Sequence, residues 1–215
     1  MSKEVTIFLV YSEAFIRDAF KTTLQSRSGF RVIGEANNGE QALRAIRVLR
    51  PKIVLCDSHF EGFSGIELAS RISRGQPETR ILVFSRTEEG VIPGRVMEAG
   101  ASGYLSAECS TDEIALAIEK VAGGEVYLSR SIAQRMALRK PHEGSLVSRL
   151  SPRELEVGMM LVQGYRCQEI ANLLSVSVKT ISTHKSRLFA KLNVTNVPKL
   201  VAVFRAEGLD ATPLD

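Results

Sequence analysis

The chain has 215 residues, of which 44% are hydrophobic and 24% are charged, and its formal net charge is +4. These values exclude a disordered or fibrous chain and predict one large or two small packed domains. The three cysteines lie far apart without metal-ligand spacing, which is typical of a reduced cytosolic protein. No apolar run reaches the ~18 residues that a membrane helix needs, and no signal-peptide pattern begins the chain, so we expect a cytoplasmic location and no membrane partner.

The first part of the chain alternates short apolar strands with amphipathic helices. Its predicted strands cover 5–10, 30–36, 52–56, 80–85 and 102–105, and its predicted helices cover 13–27, 38–49, 65–74, 89–99 and 110–122. Five strands that alternate with five helices indicate an α/β, doubly wound, mostly parallel five-stranded sheet with helices on both faces.

In a doubly wound domain the functional site lies outside the carboxyl ends of the strands. The residues at those ends are Tyr11 and Ser12, then Asp57, then Ser85, and finally the stretch Ser106–Ala107. An acidic residue that ends an apolar strand is costly unless it is solvated, paired or bound to a metal. Asp57 is therefore the candidate functional residue of this domain, and the alternative is a hydrated loop aspartate.

Residues 125–148 are predicted to form a linker between a domain at 1–124 and a domain at 149–215. Glycine, proline and serine with mixed charge around 140–145 are typical of a hinge that lets two domains dock or separate. The composition places the domain boundary between 139 and 149.

The second domain is predicted to be all-α, with four helices. Ser151, Pro152 and Glu154 form a capping-box pattern that begins the first helix, and Gly164 ends it. A short helix at 167–174, a turn at 175–178 with Ser177 as N-cap, and a cation-bearing helix to 192 follow. The last helix covers 197–206 and ends at Gly208. A short helix, a tight turn and a second helix are typical of a helix-turn-helix.

The third of these helices has an apolar side and an acid-free polar side, which predicts binding to double-stranded DNA. Ile181, Leu188 and Leu192 define the buried side. His184 lies near it and is predicted to pack there rather than to bind a ligand. The expected base-reading residues are Ser182, Thr183 and Ser186, the expected sources of charge for phosphates are Lys179, Lys185, Arg187 and Lys191, and Thr180 flanks one edge. The alternative is an ordinary solvated helix.

The stretch Val54-Leu55-Cys56-Asp57, Gly65, Ser85 and the stretch from Gly100 to Leu105 together resemble the receiver domain of bacterial response regulators. The resemblance implies a flavodoxin-like fold. It also implies that Asp57 accepts a phosphoryl group, that Ser85 contacts that group, and that Tyr104 is the aromatic switch residue. The implied partner is a sensor histidine kinase or another regulator.

Several pocket positions depart from the receiver pattern. The acidic pair that holds Mg²⁺ in the family falls on Tyr11 and Ser12, and the phosphoryl-pairing lysine falls on Ala107. Arg86 follows the hydroxyl position, where it would replace the lost cation or form a salt bridge with Asp57. Without this machinery we expect weak or phosphorylation-independent control and no bound metal or other cofactor. The alternative is conventional phosphorylation of Asp57, with Glu13 or Glu61 reaching in to hold the metal.

A second resemblance covers about 150–209. Its motifs are Leu150-Ser151-Pro152-Arg153-Glu154, Gly164, Glu169-Ile170-Ala171, Leu174, Ser177, Lys179-Thr180-Ile181, His184 and Lys191-Leu192-Asn193-Val194. This segment is similar to the DNA-binding domain of LuxR/NarL-type regulators, so the whole chain resembles a response regulator of that type. The resemblance places a homodimer contact on the last helix, at Val197, Leu200, Val201 and Phe204.

Three questions stay open at the level of sequence. The four residues of the last helix either form a dimer contact or pack only within their own domain. A DNA-binding regulator is the leading interpretation, and a protein-interaction module with a residual DNA-binding half is the alternative from another class. We expect no enzyme activity, because no His/Cys/Asp cluster, glycine-rich phosphate loop or metal-ligand spacing occurs.

Overall fold

The computed structural model describes residues 4–60, 63–85, 92–138, 146–174, 176–207 and 209. The chain divides into two compact units, with the division between Leu138 and Arg139. The first unit contains the described residues from 4 to 138, and the second contains those from 146 to 209. Predictions that involve Glu61, Arg86, Ser175, Gly208 and the linker residues 139–145 lie outside the described residues.

The elements of the first unit follow the predicted alternation of strands and helices. The strands are β1 (Val5–Val10), β2 (Phe30–Ala36), β3 (Ile53–Cys56), β4 (His59–Phe60), β5 (Phe63–Ser64), β6 (Arg80–Ser85), β7 (Gly103–Ser106) and β8 (Tyr127–Leu128). The helices are α1 (Ala14–Gln25), α2 (Gly39–Leu49), α3 (Gly65–Gly75), α4 (Ile92–Glu98), α5 (Thr111–Ala122) and α6 (Arg130–Leu138).

In the described residues the main sheet has six parallel strands in the order β2-β1-β3-β6-β7-β8, and β4 pairs with β5 in an antiparallel hairpin. The predicted doubly wound parallel sheet is thus confirmed, with one strand more than expected. The additional strand, β8, lies within the predicted linker. Its neighbour Gly103 makes room for it, because a Cβ there would lie 2.6 Å from the Tyr127 carbonyl oxygen.

The sheet is buried on both faces. Ile7, Leu55 and Leu82 belong to a core cluster on the face covered by α1 and α5. Because strand side chains alternate, Phe8 and Val54 lie on the opposite face, which α2, α3 and α4 cover. Burial on both faces explains why the central strands are nearly continuous apolar runs in the sequence. The arrangement brings the carboxyl ends of β1, β3, β6 and β7 to one edge of the sheet.

The second unit is helical, as predicted. In its described part a single 3₁₀ turn, Val147–Arg149, precedes α7 (Pro152–Val162), α8 (Cys167–Leu173), α9 (Val178–Leu192) and α10 (Val197–Ala206). Ser151 and Glu154 form the predicted capping box at the start of α7, and the Ser177 side chain caps α9 by accepting the N–H of Thr180. No helix in the described ranges of either unit is long and apolar enough to span a membrane.

Candidate nucleic-acid interface and aspartate pocket

Helix α9 separates a buried side from an exposed side, as the sequence predicts. Ile181, Leu188 and Leu192 are buried, and the helix packs mainly on α7 and α8. His184 is partly buried. The exposed polar side chains are those of Lys179, Ser182, Thr183, Ser186, Arg187 and Lys191, whereas those of Thr180 and Lys185 are partly buried. Most of the predicted nucleic-acid residues therefore share one accessible surface.

Two threonines on α9 already use their hydroxyl groups within the helix. The Thr180 Oγ1 lies 2.8 Å from the Ser177 Oγ, so this hydroxyl belongs to the N-terminal cap. The Thr183 Oγ1 donates to the backbone carbonyl of Lys179 at 2.9 Å. Thr180 is thus primarily a capping partner, while Thr183 remains on the exposed side of the helix.

The four cations of α9 differ in their surroundings. The Lys191 Nζ lies 2.6 Å from the Glu154 Oε2, and the Lys185 Nζ lies 5.4 Å from the centre of the Phe189 ring. Among the described residues Lys179, Lys185 and Arg187 form no ion pair. Lys191, which the sequence predicts to supply charge for phosphates, also pairs with a carboxylate of its own unit.

Glu154 is the residue of this interface that sequence reasoning placed only in a helix cap. Its side chain is 4% exposed, and Oε2 also accepts the N–H of Ser151 at 2.8 Å. Burial raises the pKa of the Glu154 carboxyl, but hydrogen bonds from Lys191 and Ser151 lower it by more, so the pKa falls below its ordinary value of 4.5. The carboxylate therefore stays charged at neutral pH and holds the C-terminal end of α9 on α7.

The four residues predicted to form a dimer contact divide into two pairs. Leu200 and Phe204 are 0% exposed, and the Phe204 ring lies so close to Gly158 that a Cβ there would be 2.6 Å away. These two side chains fill the core of their own unit, so their assignment to a dimer surface is corrected. Val197 and Val201 are partly exposed and stay available for such a contact.

Asp57 follows β3 and is 9% exposed. The N–H of Ser58 donates to its Oδ1 at 2.5 Å, and the Ser58 hydroxyl lies 3.2 Å from the same oxygen. The Ser58 Oγ is also 2.7 Å from the Ser85 Oγ. A carboxylate only accepts hydrogen bonds, so the two hydroxyls form a relay in which Ser85 donates to Ser58 and Ser58 donates to Asp57. Sequence reasoning missed Ser58, although its position directly after Asp57 was the available signal.

Tyr11 lies at the end of β1 and is 1% exposed. Its ring stacks on Phe20, with 5.1 Å between the ring centres. Burial raises the pKa of the Tyr11 phenol well above its ordinary value of 10.0, and the nearby Cys56 and Asp57 raise it further. Among the described residues the phenol oxygen has no hydrogen-bond partner. The residue at the family's acidic position is thus a core aromatic side chain whose polar end lies near Asp57.

The other predicted pocket residues lie around this centre. Ser12 and Glu13 are exposed before α1, and the Arg17 guanidinium donates to the carbonyls of Tyr11 (2.6 Å) and Ser12 (3.0 Å). Tyr104 lies within β7 and is 0% exposed. Ala107 lies in the turn after β7 and is exposed. Within the described part of the chain, no group of three His, Cys, Asp or Glu side chains is placed to hold a metal ion.

Comparison with known families accounts for both units. Residues 7–119 match the response regulator receiver domain, and residues 148–204 match the bacterial regulatory proteins of the luxR family. The chain belongs to the response regulators of this receiver-plus-luxR type. Both resemblances predicted from the sequence are therefore confirmed, and the family implies a kinase partner in a two-component system.

Similar response regulators cover nearly the whole chain. The response regulator GacA of Pseudomonas aeruginosa is 32% identical over 95% of this chain and 97% of its own length, and UvrY of Escherichia coli is 33% identical over 95% of each. A solved structure of RcsB from Salmonella typhimurium has a TM-score of 0.71 at 21% identity, covering 96% of this chain and 100% of that chain. A solved RcsB–DNA complex has a TM-score of 0.61 at 21% identity, covering 95% and 99%. At this identity the two RcsB structures support the fold.

Proposed function

We propose that this response regulator binds double-stranded DNA through α9 and regulates transcription in the bacterial cytoplasm. The observation that carries the proposal is the exposed side of α9, which has polar and cationic side chains, no acidic residue and an apolar side firmly packed on α7 and α8. A helix of this kind fits the major groove, where cations meet phosphates and short polar groups reach base edges. The solved RcsB–DNA complex of similar fold is consistent with it.

We propose that the residues of α9 have different roles in DNA binding. Ser182, Thr183 and Ser186 face outward and are assigned to base edges. Lys179, Lys185 and Arg187, which form no ion pair in the described structure, are assigned to phosphates. We assign Lys191 to holding the helix in place through Glu154, in addition to any electrostatic contribution to DNA binding. One such helix covers few base pairs, so a homodimer on two half-sites is expected, with Val197 and Val201 as candidate contacts.

Salt-dependent binding tests this assignment. Binding of the full chain to a random duplex is measured by fluorescence anisotropy over a range of salt concentrations. Arg187→Ala is expected to weaken binding and to reduce the slope of log affinity against log salt by about one, because one phosphate contact is lost. Lys21→Ala in α1 of the other unit is the matched control and should leave the slope unchanged. An unchanged slope for Arg187→Ala would contradict the proposed phosphate contact.

We further propose that control of the receiver is independent of phosphorylation at Asp57, or only weakly dependent on it. Mg²⁺ in such sites takes oxygen ligands, usually one or two carboxylates with phosphate oxygens. The described groups around Asp57 include the Ser58 N–H, the Ser58 and Ser85 hydroxyls and the Tyr11 phenol. These groups do not fit the metal, because none of them adds a second negative charge: the Ser58 N–H and hydroxyl donate to the Asp57 Oδ1, and the raised pKa of the Tyr11 phenol keeps it neutral.

The loss of the pairing lysine supports the same proposal. Phosphoryl transfer depends on positioned cations that stabilise developing charge, and Ala107 offers none at the turn after β7. Asp57 is instead a carboxylate that already receives donors from Ser58 and, through it, from Ser85.

Electrophoresis that retards phosphorylated protein tests the receiver proposal. The full chain is incubated with acetyl phosphate and Mg²⁺, beside Asp57→Ala and a conventional receiver as positive control. We expect no retarded band that depends on Asp57. Stoichiometric modification of the wild-type chain, absent in Asp57→Ala, would establish the conventional phosphorylation mechanism instead. Identical genomic occupancy by wild type and Asp57→Ala is the corresponding expectation in cells.

A further inference from the structure

The hydroxyl group of Thr183 has a fixed direction on the exposed side of α9. It donates to the Lys179 carbonyl at 2.9 Å, one turn earlier in the helix. A hydroxyl has one proton and two acceptor lone pairs, so this bond leaves Thr183 with acceptor capacity only. The same bond selects one of the two χ1 rotamers that threonine adopts in a helix, and it thereby fixes the position of the Cγ2 methyl group.

No other hydroxyl on the exposed side of α9 is constrained in this way. Ser182 and Ser186 are exposed, and within the described structure their hydroxyls form no hydrogen bond, so each is able to donate or accept. The Thr180 hydroxyl is paired with Ser177 and partly buried. Ile181 marks the buried side, and at ~100° per residue Thr183 lies roughly opposite it, near the middle of the exposed side. Thr183 therefore combines a central position with a defined chemistry.

Base edges in the major groove differ in how they match an acceptor beside a methyl group. Guanine presents only acceptors there, at N7 and O6, so a group without a free proton gains nothing from it. An A·T pair presents the adenine 6-amino donor and the thymine methyl on the same edge. The Thr183 Oγ1 is able to accept the hydrogen bond of the adenine amino group, and the Thr183 Cγ2 methyl is able to pack on the thymine methyl.

We propose that Thr183 is a specificity-determining residue that selects an A·T pair in each half-site and disfavours guanine at the contacted position. This inference rests on the proposed DNA binding by α9 and adds the chemical class of base that the helix recognises. It assigns Thr183 an acceptor-plus-methyl role, whereas Ser182 and Ser186 keep hydroxyls that adapt to either donors or acceptors.

Selection from a randomised duplex library tests the inference with the full chain. Thr183→Val keeps the branched shape and a methyl but removes the acceptor, and Thr183→Ser keeps the acceptor but removes the methyl. Thr180→Val makes the same chemical change one turn away and is the matched control. At one half-site position the wild type is expected to prefer A·T. Thr183→Val should reduce the preference for A·T over G·C there by about tenfold, the scale of one good base contact, and Thr180→Val should leave it unchanged.

Base analogues then separate the two parts of the contact. Purine in place of adenine removes the 6-amino donor, and uracil in place of thymine removes the methyl. The wild type should lose affinity for both analogues, Thr183→Val should be insensitive to purine, and Thr183→Ser should be insensitive to uracil. An enriched motif that Thr183→Val leaves unchanged, or a wild-type preference for guanine that this variant alters, would overturn the inference while leaving DNA binding intact. A library with no enriched motif at all would instead count against the proposed function.

Discussion

The Lys191 ammonium, near the C-terminal end of α9, lies 2.6 Å from the carboxylate of Glu154 in the first turn of α7. The same Glu154 oxygen accepts the N–H of Ser151, so one carboxylate joins the capping box of α7 to the last turn of α9. This ion pair crosses 37 positions of sequence. It gives the exposed side of α9 a fixed position relative to the rest of its unit.

Lys191→Ala is expected to destabilise the second unit by about 1–2 kcal/mol, because it leaves the nearly buried Glu154 charge without its cation. The expected loss of stability is smaller than for a fully buried ion pair, because the Lys191 side chain is 40% exposed and solvent screens its charge. Hydrogen exchange of the second-unit amides in the full chain measures the loss. Lys185→Ala removes the same charge from the same helix and serves as control: its exchange should stay near wild type while its salt slope falls. The reverse pattern for the two variants would contradict these roles.

The lowered pKa of Glu154 makes the stability of the second unit depend on pH. A carboxyl whose pKa is lower in the folded chain stabilises the fold above its unfolded pKa, and that contribution is lost as the pH falls through the folded value. Glu154→Gln lacks this contribution, so it should be less stable than wild type at neutral pH. The difference should shrink as the pH falls below the ordinary value of 4.5. Denaturant unfolding at a series of pH values measures this difference in stability through signals from the second unit. A difference that stays constant with pH would contradict the lowered pKa of Glu154.

Sequence patterns were sufficient for the features that depend on local order. The alternation of strands and helices, the Ser151 and Ser177 caps and the apolar side of α9 follow from periodicity and capping, which short stretches of chain determine. They also located Asp57, because an acidic residue after an apolar strand is unusual on its own. None of these features depends on which distant residues pack against each other.

Several features that sequence reasoning missed depend on contacts between distant residues. The resemblance assigned Leu200 and Phe204 to a dimer contact, and the sequence could not decide this because an apolar helix position has the same pattern whether it faces its own core or a partner. The ion pair between Lys191 and Glu154 was missed as well, because only the fold brings these two residues together. Strand β8 has two residues and thus no periodicity, so the preceding glycines read as the start of a linker.

Gly103→Ala is expected to weaken the pairing of β8 with β7. A Cβ at Gly103 would lie 2.6 Å from the Tyr127 carbonyl oxygen and 2.7 Å from a Leu82 methyl, so the strand must shift or separate. Overpacking of this kind costs about 1–3 kcal/mol. Faster hydrogen exchange at 127–138 in the full chain would report it. Gly75→Ala, where a Cβ meets nothing within 4 Å, is the control and should leave the exchange at 127–138 unchanged. Wild-type exchange in Gly103→Ala would show that β8 does not depend on this close approach.

Tyr11→Phe is expected to stabilise the first unit. The Tyr11 hydroxyl is buried, and within the described structure it has no hydrogen-bond partner, so its desolvation is uncompensated. Removing such a group while keeping the ring on Phe20 should raise the free energy of unfolding by about 1 kcal/mol. Tyr127→Phe is the control, because the Tyr127 hydroxyl does donate a hydrogen bond, to the Glu113 Oε1 at 3.3 Å, so its removal should not stabilise the unit. Urea unfolding of the full chain compares the stability of the two variants, with hydrogen exchange of first-unit amides as the probe. Destabilisation by Tyr11→Phe would mean that the phenol hydrogen-bonds near Asp57 in solution. Tyr11 would then be a working part of the aspartate pocket rather than a filler of the space left by the family's acidic residue.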